Sequence, residues 1–143
     1  VLAFRTIETI GQIETMKKIT LLIIDDEQEV VNALAAIFRP NKRYKVRAHS
    51  SVAAARADLA AFPPQLLLCD YLMPECDGIE VVRELKQRFP QLRSILLTGQ
   101  MFDENIVKGL EQGLIDLYIA KPWNQAELED AVKRLAREVA KGG

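Results

Sequence analysis

From Ile19 the chain switches repeatedly between two hydrophobic periods. Ile19–Ile24 is a short, nearly continuous apolar run, the pattern of a strand buried on both faces. Over Glu29–Phe38, Val30, Leu34, Ile37 and Phe38 fall at helical spacing, and Pro40 ends the segment. Tyr44–His49 reads as a weaker second strand. Ser51 stands where it can cap a helix with Val52, Ala55, Leu59 and Phe62 along one face; Pro63-Pro64 stops it. Gln65–Asp70 is a third strand, again buried, with an apolar run from Leu66 to Cys69. Ile79, Val82, Leu85 and Phe89 mark a helix after Gly78, closed by Pro90. Ser94–Thr98 is the fourth strand. A helix through Ile106, Val107 and Leu110 ends near Gly113, and Ile115–Ala120 is the fifth strand. The last helix runs from about Gln125 to Ala140, with Leu128, Ala131, Val132, Leu135 and Val139 inward.

Five strand–helix pairs in strict alternation predict an α/β fold, a parallel sheet covered by helices on both faces. Right-handed crossovers leave few topologies for it. No internal repeat or low-complexity stretch interrupts the pattern. The expected boundaries are a tail or added upstream segment over residues 1–16, one domain over 17–141, and a frayed end or the start of a linker at 142–143. Met16, followed by Lys17-Lys18, is a plausible natural start. In the tail, Phe4, Ile7, Ile10 and Ile13 recur every three residues, an amphipathic pattern that Gly11 and the β-branched Thr residues weaken as a helix.

Composition narrows the class without adding a function. The 143 residues suit one domain, and an apolar fraction of 49% supplies one sizeable core. Lys plus Arg number 19 against 20 Asp plus Glu, so no overall basic excess advertises a nucleic-acid surface. Cys69 lies in an apolar run and reads as a core residue. Cys76, between Glu75 and Asp77, reads as exposed. Neither has metal-ligand spacing or a disulfide pattern, so a reducing cytoplasm is the expected location. No apolar stretch is long enough to span a bilayer. His49, the single histidine, reads as a surface residue, and Trp123 as a packing residue close to the strand ends.

The polar residues at the strand ends carry the chemistry. In a parallel doubly wound sheet, ligands bind along the carboxyl edge. There the first strand ends in Asp25-Asp26-Glu27, the third in Asp70, the fourth in Thr98-Gly99 and the fifth in Lys121-Pro122. Each alone has a bland explanation as a solvated turn residue or surface lysine. Together they are a constellation. Clustered carboxylates repel unless a counter-charge is supplied, and Mg²⁺, with its preference for oxygen, supplies it through one or two direct carboxylates. Lys121 adds a second cation. A tetrahedral anion fits between metal and ammonium, with Asp70 as the nucleophile.

At this point the sequence resembles the receiver domain of response regulators, the chemotaxis-protein-like phosphoacceptor family of bacterial two-component systems. The likeness covers about Lys17 to Ala140. It is carried by Asp25-Asp26 after an apolar strand, Asp70-Tyr-Leu-Met-Pro74 with Asp77-Gly78 following, Thr98-Gly99 after Ile-Leu-Leu, and Tyr118-Ile-Ala-Lys121-Pro122. The resemblance implies a flavodoxin-like fold with strand order 2-1-3-4-5. It implies phosphorylation of Asp70 by a sensor histidine kinase, and Mg²⁺ (or Mn²⁺) held by Asp26, Asp70 and the backbone carbonyl of Leu72, with Asp25 acting through water. Lys121, the Thr98 hydroxyl and the backbone N–H groups of Tyr71 and Gly99 are the implied phosphoryl contacts, and the bond before Pro122 is expected cis. Thr98 and Tyr118 form the implied switch, in which the ring turns inward as the hydroxyl moves and the surface of the fourth helix, fifth strand and fifth helix changes. The expected partners are the kinase, an output domain or protein, and a second copy of the chain; direct nucleic-acid or membrane binding is not expected. Leu72 and Gln100 occupy the variable positions beside the phosphoryl group. An apolar Leu72 cannot bond an attacking water, so the phosphorylated state is not expected to be unusually short-lived. Ala120–Asn124 is similar to receivers attached to cyclic-dinucleotide phosphodiesterases.

Three other readings compete. A haloacid-dehalogenase-type phosphatase needs an acid two residues after its nucleophile, where this chain has Leu72 (or Gln28 after Asp26). A non-phosphorylated pseudo-receiver usually lacks an acid or the lysine, and none is missing. A nucleotide-binding Rossmann protein needs a Gly-rich loop where Asp25-Asp26-Glu27 stands.

Overall fold

A computed structural model of the chain describes residues 18–99 and 103–142. The strands are β1 (Ile19–Ile24), β2 (Tyr44–His49), β3 (Leu66–Asp70), β4 (Arg93–Thr98) and β5 (Leu117–Ala120). The helices are α1 (Gln28–Phe38), α2 (Val52–Asp58), α3 (Gly78–Arg88), α4 (Glu104–Glu111) and α5 (Gln125–Gly142). All four strand pairings are parallel and the sheet order is β2-β1-β3-β4-β5, as the resemblance implied.

The continuous apolar runs are explained by two separate cores. Alternate strand residues point to opposite faces. Leu22, Ile24, Leu67, Cys69 and Leu96 pack on one side with Val52, Phe62, Val82, Leu85 and Ile106. Leu21, Ile23, Leu66, Leu68, Ile95 and Leu97 pack on the other with Leu34, Phe38, Leu128, Val132 and Leu135. Thus α2, α3 and α4 cover one face, and α1 and α5 the other. Every residue of β3 is buried, whereas the edge strands β2 and β5 alternate between buried or half-buried and more exposed positions. Each buried Leu or Ile contributes about 1.5–3 kcal/mol over its exposed state, so the central strands hold the sheet and, with it, the alignment of its carboxyl edge.

Local signals agree with this frame. The Ser51 side chain accepts a hydrogen bond from the Ala54 N–H at 3.1 Å and caps α2. Gly113, at φ +72°, ends the turn after α4 in a conformation that glycine adopts without strain. Several details differ from the expectation: β3 starts at Leu66 and β4 at Arg93, each one residue away, and α2 ends at Asp58, before Leu59 and Phe62. The buried stripe of α1 is Val31, Leu34, Ala35 and Phe38, leaving Val30 and Ile37 half-buried at its flanks. β5 starts at Leu117 and not Ile115, because Asp116 turns back to accept from the Ser94 N–H (2.9 Å) and from Arg93 (3.0 Å). α5 extends through Gly142. The amphipathic pattern of Phe4, Ile7, Ile10 and Ile13 lies outside the described residues, as does Gln100.

Candidate functional site

The register levels the strand ends. Ile24 pairs with Cys69, Asp70 with Leu97, and Thr98 with Ala120, so Asp25, Asp70, Thr98 and Lys121 each arrive at the same edge of the sheet. The chain leaving β3 is folded back tightly. The Gly78 N–H donates to the Tyr71 carbonyl at 2.6 Å, and the Asp77 carboxylate caps α3 by accepting from the Glu80 N–H at 2.9 Å. A Cβ on Gly78 would stand 2.6 Å from the Asp70 carbonyl oxygen and 2.9 Å from Leu96 Cδ2. The Asp77-Gly78 pair therefore has a physical reason: only glycine lets α3 begin directly against the backbone of Asp70.

Three carboxylates and one amine meet there. Single oxygens of Asp25, Asp26 and Asp70 all lie within 4.8 Å of one another. Lys121 Nζ donates to Asp25 Oδ2 at 2.8 Å and to Asp70 Oδ1 at 3.0 Å. Asp25 is fully buried, and its other oxygen accepts from the Glu27 N–H at 2.9 Å. Asp26 is exposed. Burial raises the Asp70 carboxyl, and the nearby Asp25 and Asp26 push it the same way; against the pull of Lys121, its pKa rises from 3.8 to about 6. For Lys121, burial works against the charge, but its hydrogen bonds to Asp25 and Asp70 prevail and hold it above the ordinary lysine value. With the three acids ionised, one ammonium leaves a local excess of two negative charges. The donors are all oxygen, the set that a hard divalent cation prefers.

The other expected residues divide. Thr98 is buried at the mouth of the site, and its carbonyl accepts from the Lys121 N–H at 2.8 Å. The bond between Lys121 and Pro122 is cis. Gly99 has open space where a Cβ would stand, so an alanine fits there equally well. Leu72 lies just beyond β3 with 54% of its surface exposed, and the Tyr118 side chain is turned outward on β5. The Tyr71 amide requires a correction. Its N–H donates to the Leu97 carbonyl at 2.8 Å, completing the β3–β4 ladder, so it faces the neighbouring strand and not the acidic cluster. Cys76 is also not the exposed residue expected, for it packs partly buried against the core. His49 is half-buried, with Nε2 3.0 Å from Asp58 Oδ2. The Asp25–Glu27 N–H bond was missed, because a carboxylate bonding two residues ahead leaves no mark in a run of three acids.

This fold and site define a class. The model for the response regulator receiver domain matches residues 21–133, and the chain belongs to that family. Receiver domains work as phosphoacceptor switches and not as turnover enzymes, and this chain has both their fold and their acidic cluster. Among relatives, it is 34% identical over 118 residues to the hydrogenase transcriptional regulatory protein HoxA of Cupriavidus necator, covering 82% of this chain and 24% of that protein. It is 28% identical over 120 residues to the response regulator protein VraR of Staphylococcus aureus, covering 83% of this chain and 57% of VraR. The chain thus spans about a quarter and a little over half of these curated relatives. Among solved structures, a CheY-like receiver domain protein from Methanospirillum hungatei matches with a TM-score of 0.79 and 27% identity, over 89% of this chain and all of that one. The signal receiver domain of an HD domain-containing protein from Pseudomonas fluorescens matches in fold, with a TM-score of 0.80 and 24% identity, over 87% and 99% of the two chains. No helix among the described residues is long and apolar enough to cross a membrane.

Proposed function

We propose that Asp70 accepts a phosphoryl group from a phosphohistidine of a sensor kinase. The observation that carries this reading is the bridge of Lys121 between Asp25 and Asp70, inside a cluster of three carboxylates. An Asp70 oxygen forms the new P–O bond while the P–N bond breaks; the imidazole nitrogen keeps the electron pair and takes up a proton. Asp26, Asp70 and the Leu72 carbonyl hold Mg²⁺ or Mn²⁺, which supplies the positive charge that lets a phosphoryl anion approach a carboxylate. Asp25, whose oxygens already accept from Lys121 and Glu27, acts through water. Lys121 is positioned to leave Asp70 Oδ1 for a phosphoryl oxygen, and the Thr98 hydroxyl and the Gly99 N–H complete the cradle. With the Tyr71 amide committed to the sheet, the Leu72 amide, the first past the β3–β4 ladder, takes its place.

Inward movement of Thr98 and the Tyr118 ring then alters the α4-β5-α5 face, which controls an output domain, a protein partner or pairing with a second copy. The work is cytoplasmic, and this domain itself contacts neither nucleic acid nor membrane. The apolar side chain of Leu72 gives an attacking water no partner, so the acyl phosphate outlasts seconds. Intact mass after incubation with acetyl phosphate and Mg²⁺ tests the proposal. One added phosphoryl group is expected, dependent on the metal and absent from Asp70→Asn. Equal labelling of that variant, or none in the metal-bound native chain, would overturn it.

A further inference from the structure

A concave, mainly apolar cavity of about 340 Å³ lies among the α2–β3 connection, the α3–β4 connection and the end of α5. Pro63, Phe89, Pro90, Leu92 and Val139 form its apolar part. This is the amino edge of the sheet, opposite the carboxylate cluster, and the phosphoryl chemistry makes no use of it. Arg88 and Arg93 stand among its lining.

The chain enters the domain beside this cavity. The Thr20 hydroxyl donates to the Pro63 carbonyl at 2.9 Å, and the Thr20 N–H donates to Gln65 Oε1 at 3.0 Å. Both acceptors belong to residues that line the groove. The segment that precedes this point carries Phe4, Ile7, Ile10 and Ile13 at a three-residue interval, with Arg5 and Glu8 as the charged residues among them. Six residues lie between Ile13 and Thr20, which makes seven residue steps. Extended, they reach about 23 Å, enough to turn back over a groove whose rim is hydrogen-bonded to the tether.

We propose that residues 4–13 of this same chain occupy the groove, with apolar side chains against Phe89, Leu92 and Val139 and with Glu8 near Arg88. The apolar lining, the apolar repeat of the segment and the position of the tether point to this occupant. The tether also lowers the affinity required. A short flexible linker gives an effective concentration in the millimolar range, so a segment too weak to bind as a free peptide stays docked when attached. Val139 and Glu138 of α5 line the groove, while Glu127, Asp130 and Arg134 of the same helix lie beside Tyr118. An occupant of the groove therefore bears on one end of the helix whose other end borders the proposed output face.

Hydrogen exchange on the complete chain tests this. In Ile7→Glu/Ile10→Glu, exchange over residues 62–66, 88–93 and 138–142 is expected to rise about tenfold, with β1 and β3 unchanged. Arg88→Glu should raise it less, and Arg88→Glu combined with Glu8→Lys should recover the native protection. Equal exchange in the native chain and the double-Glu variant would overturn the proposal. So would protection that depends on protein concentration, which would make a second copy the occupant.

Discussion

Replacing Asp70 by Asn should make the metal-free protein more stable. Asp70 titrates at about 6 in the folded chain instead of 3.8, chiefly because it is buried. Between those pH values the native state binds the proton that the unfolded chain releases. Stability therefore falls as pH rises through about 4 to 6 and stays low above it. A displacement of about two pH units, at ~1.4 kcal/mol each, sets an upper figure of about 3 kcal/mol. The side chain is 10% exposed, and water reaching it reduces the figure to about 2 kcal/mol. Asn cannot ionise, and its amide oxygen still accepts from Lys121. In urea unfolding with a chelator at pH 8, the variant's midpoint should lie about 1 M above the native one, for a slope of about 2 kcal/mol per molar. Near pH 4 the two curves should nearly coincide. Saturating Mg²⁺ should narrow the gap at pH 8, because it stabilises the native chain more than the variant. A variant no more stable than the native chain at pH 8, or a gap of the same size at pH 4, would refute the reasoning.

Gly78→Ala should cost about 1–3 kcal/mol in the same urea assay, since its Cβ would stand 2.6 Å from a backbone oxygen; a change under about 0.5 kcal/mol would show that the close approach relaxes freely. Gly99→Ala, with open space for its Cβ, should leave stability within about 0.5 kcal/mol. Arg56 donates to both Glu84 oxygens, at 2.8 and 2.9 Å, but both side chains are about half exposed, so Arg56→Ala should cost less than about 1 kcal/mol. The hydrogen bond to Arg56 lowers the Glu84 carboxyl below its usual 4.5. That contribution is present above pH 4.5 and disappears as pH falls through the lowered value, so the native and Arg56→Ala chains should converge in acid and in 1 M salt. Trp123, half-buried one residue after Pro122, should change its emission when Mg²⁺ binds; an unchanged spectrum at saturation, with binding shown by calorimetry, would refute this.

The layering was legible because β1, β3 and β4 are apolar on both faces, as a sheet covered twice requires, whereas the strand order came from the family resemblance and not from the pattern. The site was legible because each of its acids and its lysine ends a strand. What escaped depends on direction and not on residue type. The Tyr71 amide is the next donor after Asp70, but peptide groups alternate sides along a strand, and this one points to β4. Cys76 sits between two acids that mark it as exposed, yet the chain turns there to start α3, and the thiol rests on the core. Asp116 reads as part of a strand because Ile115 and Leu117 flank it; its carboxylate instead ties the start of β5 to Ser94 and Arg93. Gly78 shows the reverse: its place in the motif was clear, and only the distance to Asp70 supplied the reason.

The bridge between Lys121 and Asp25 spans 96 positions of the sequence. Ribosomes add about 5–20 residues per second, so roughly 5–20 s pass between the making of the buried acid and of its cation. Through that interval the nascent chain carries Asp25, Asp26 and then Asp70 before the lysine that bridges two of them exists. The cluster closes only after the last strand has been added. The bridge that links the first strand end to the last therefore forms only once the chain has been made as far as Lys121.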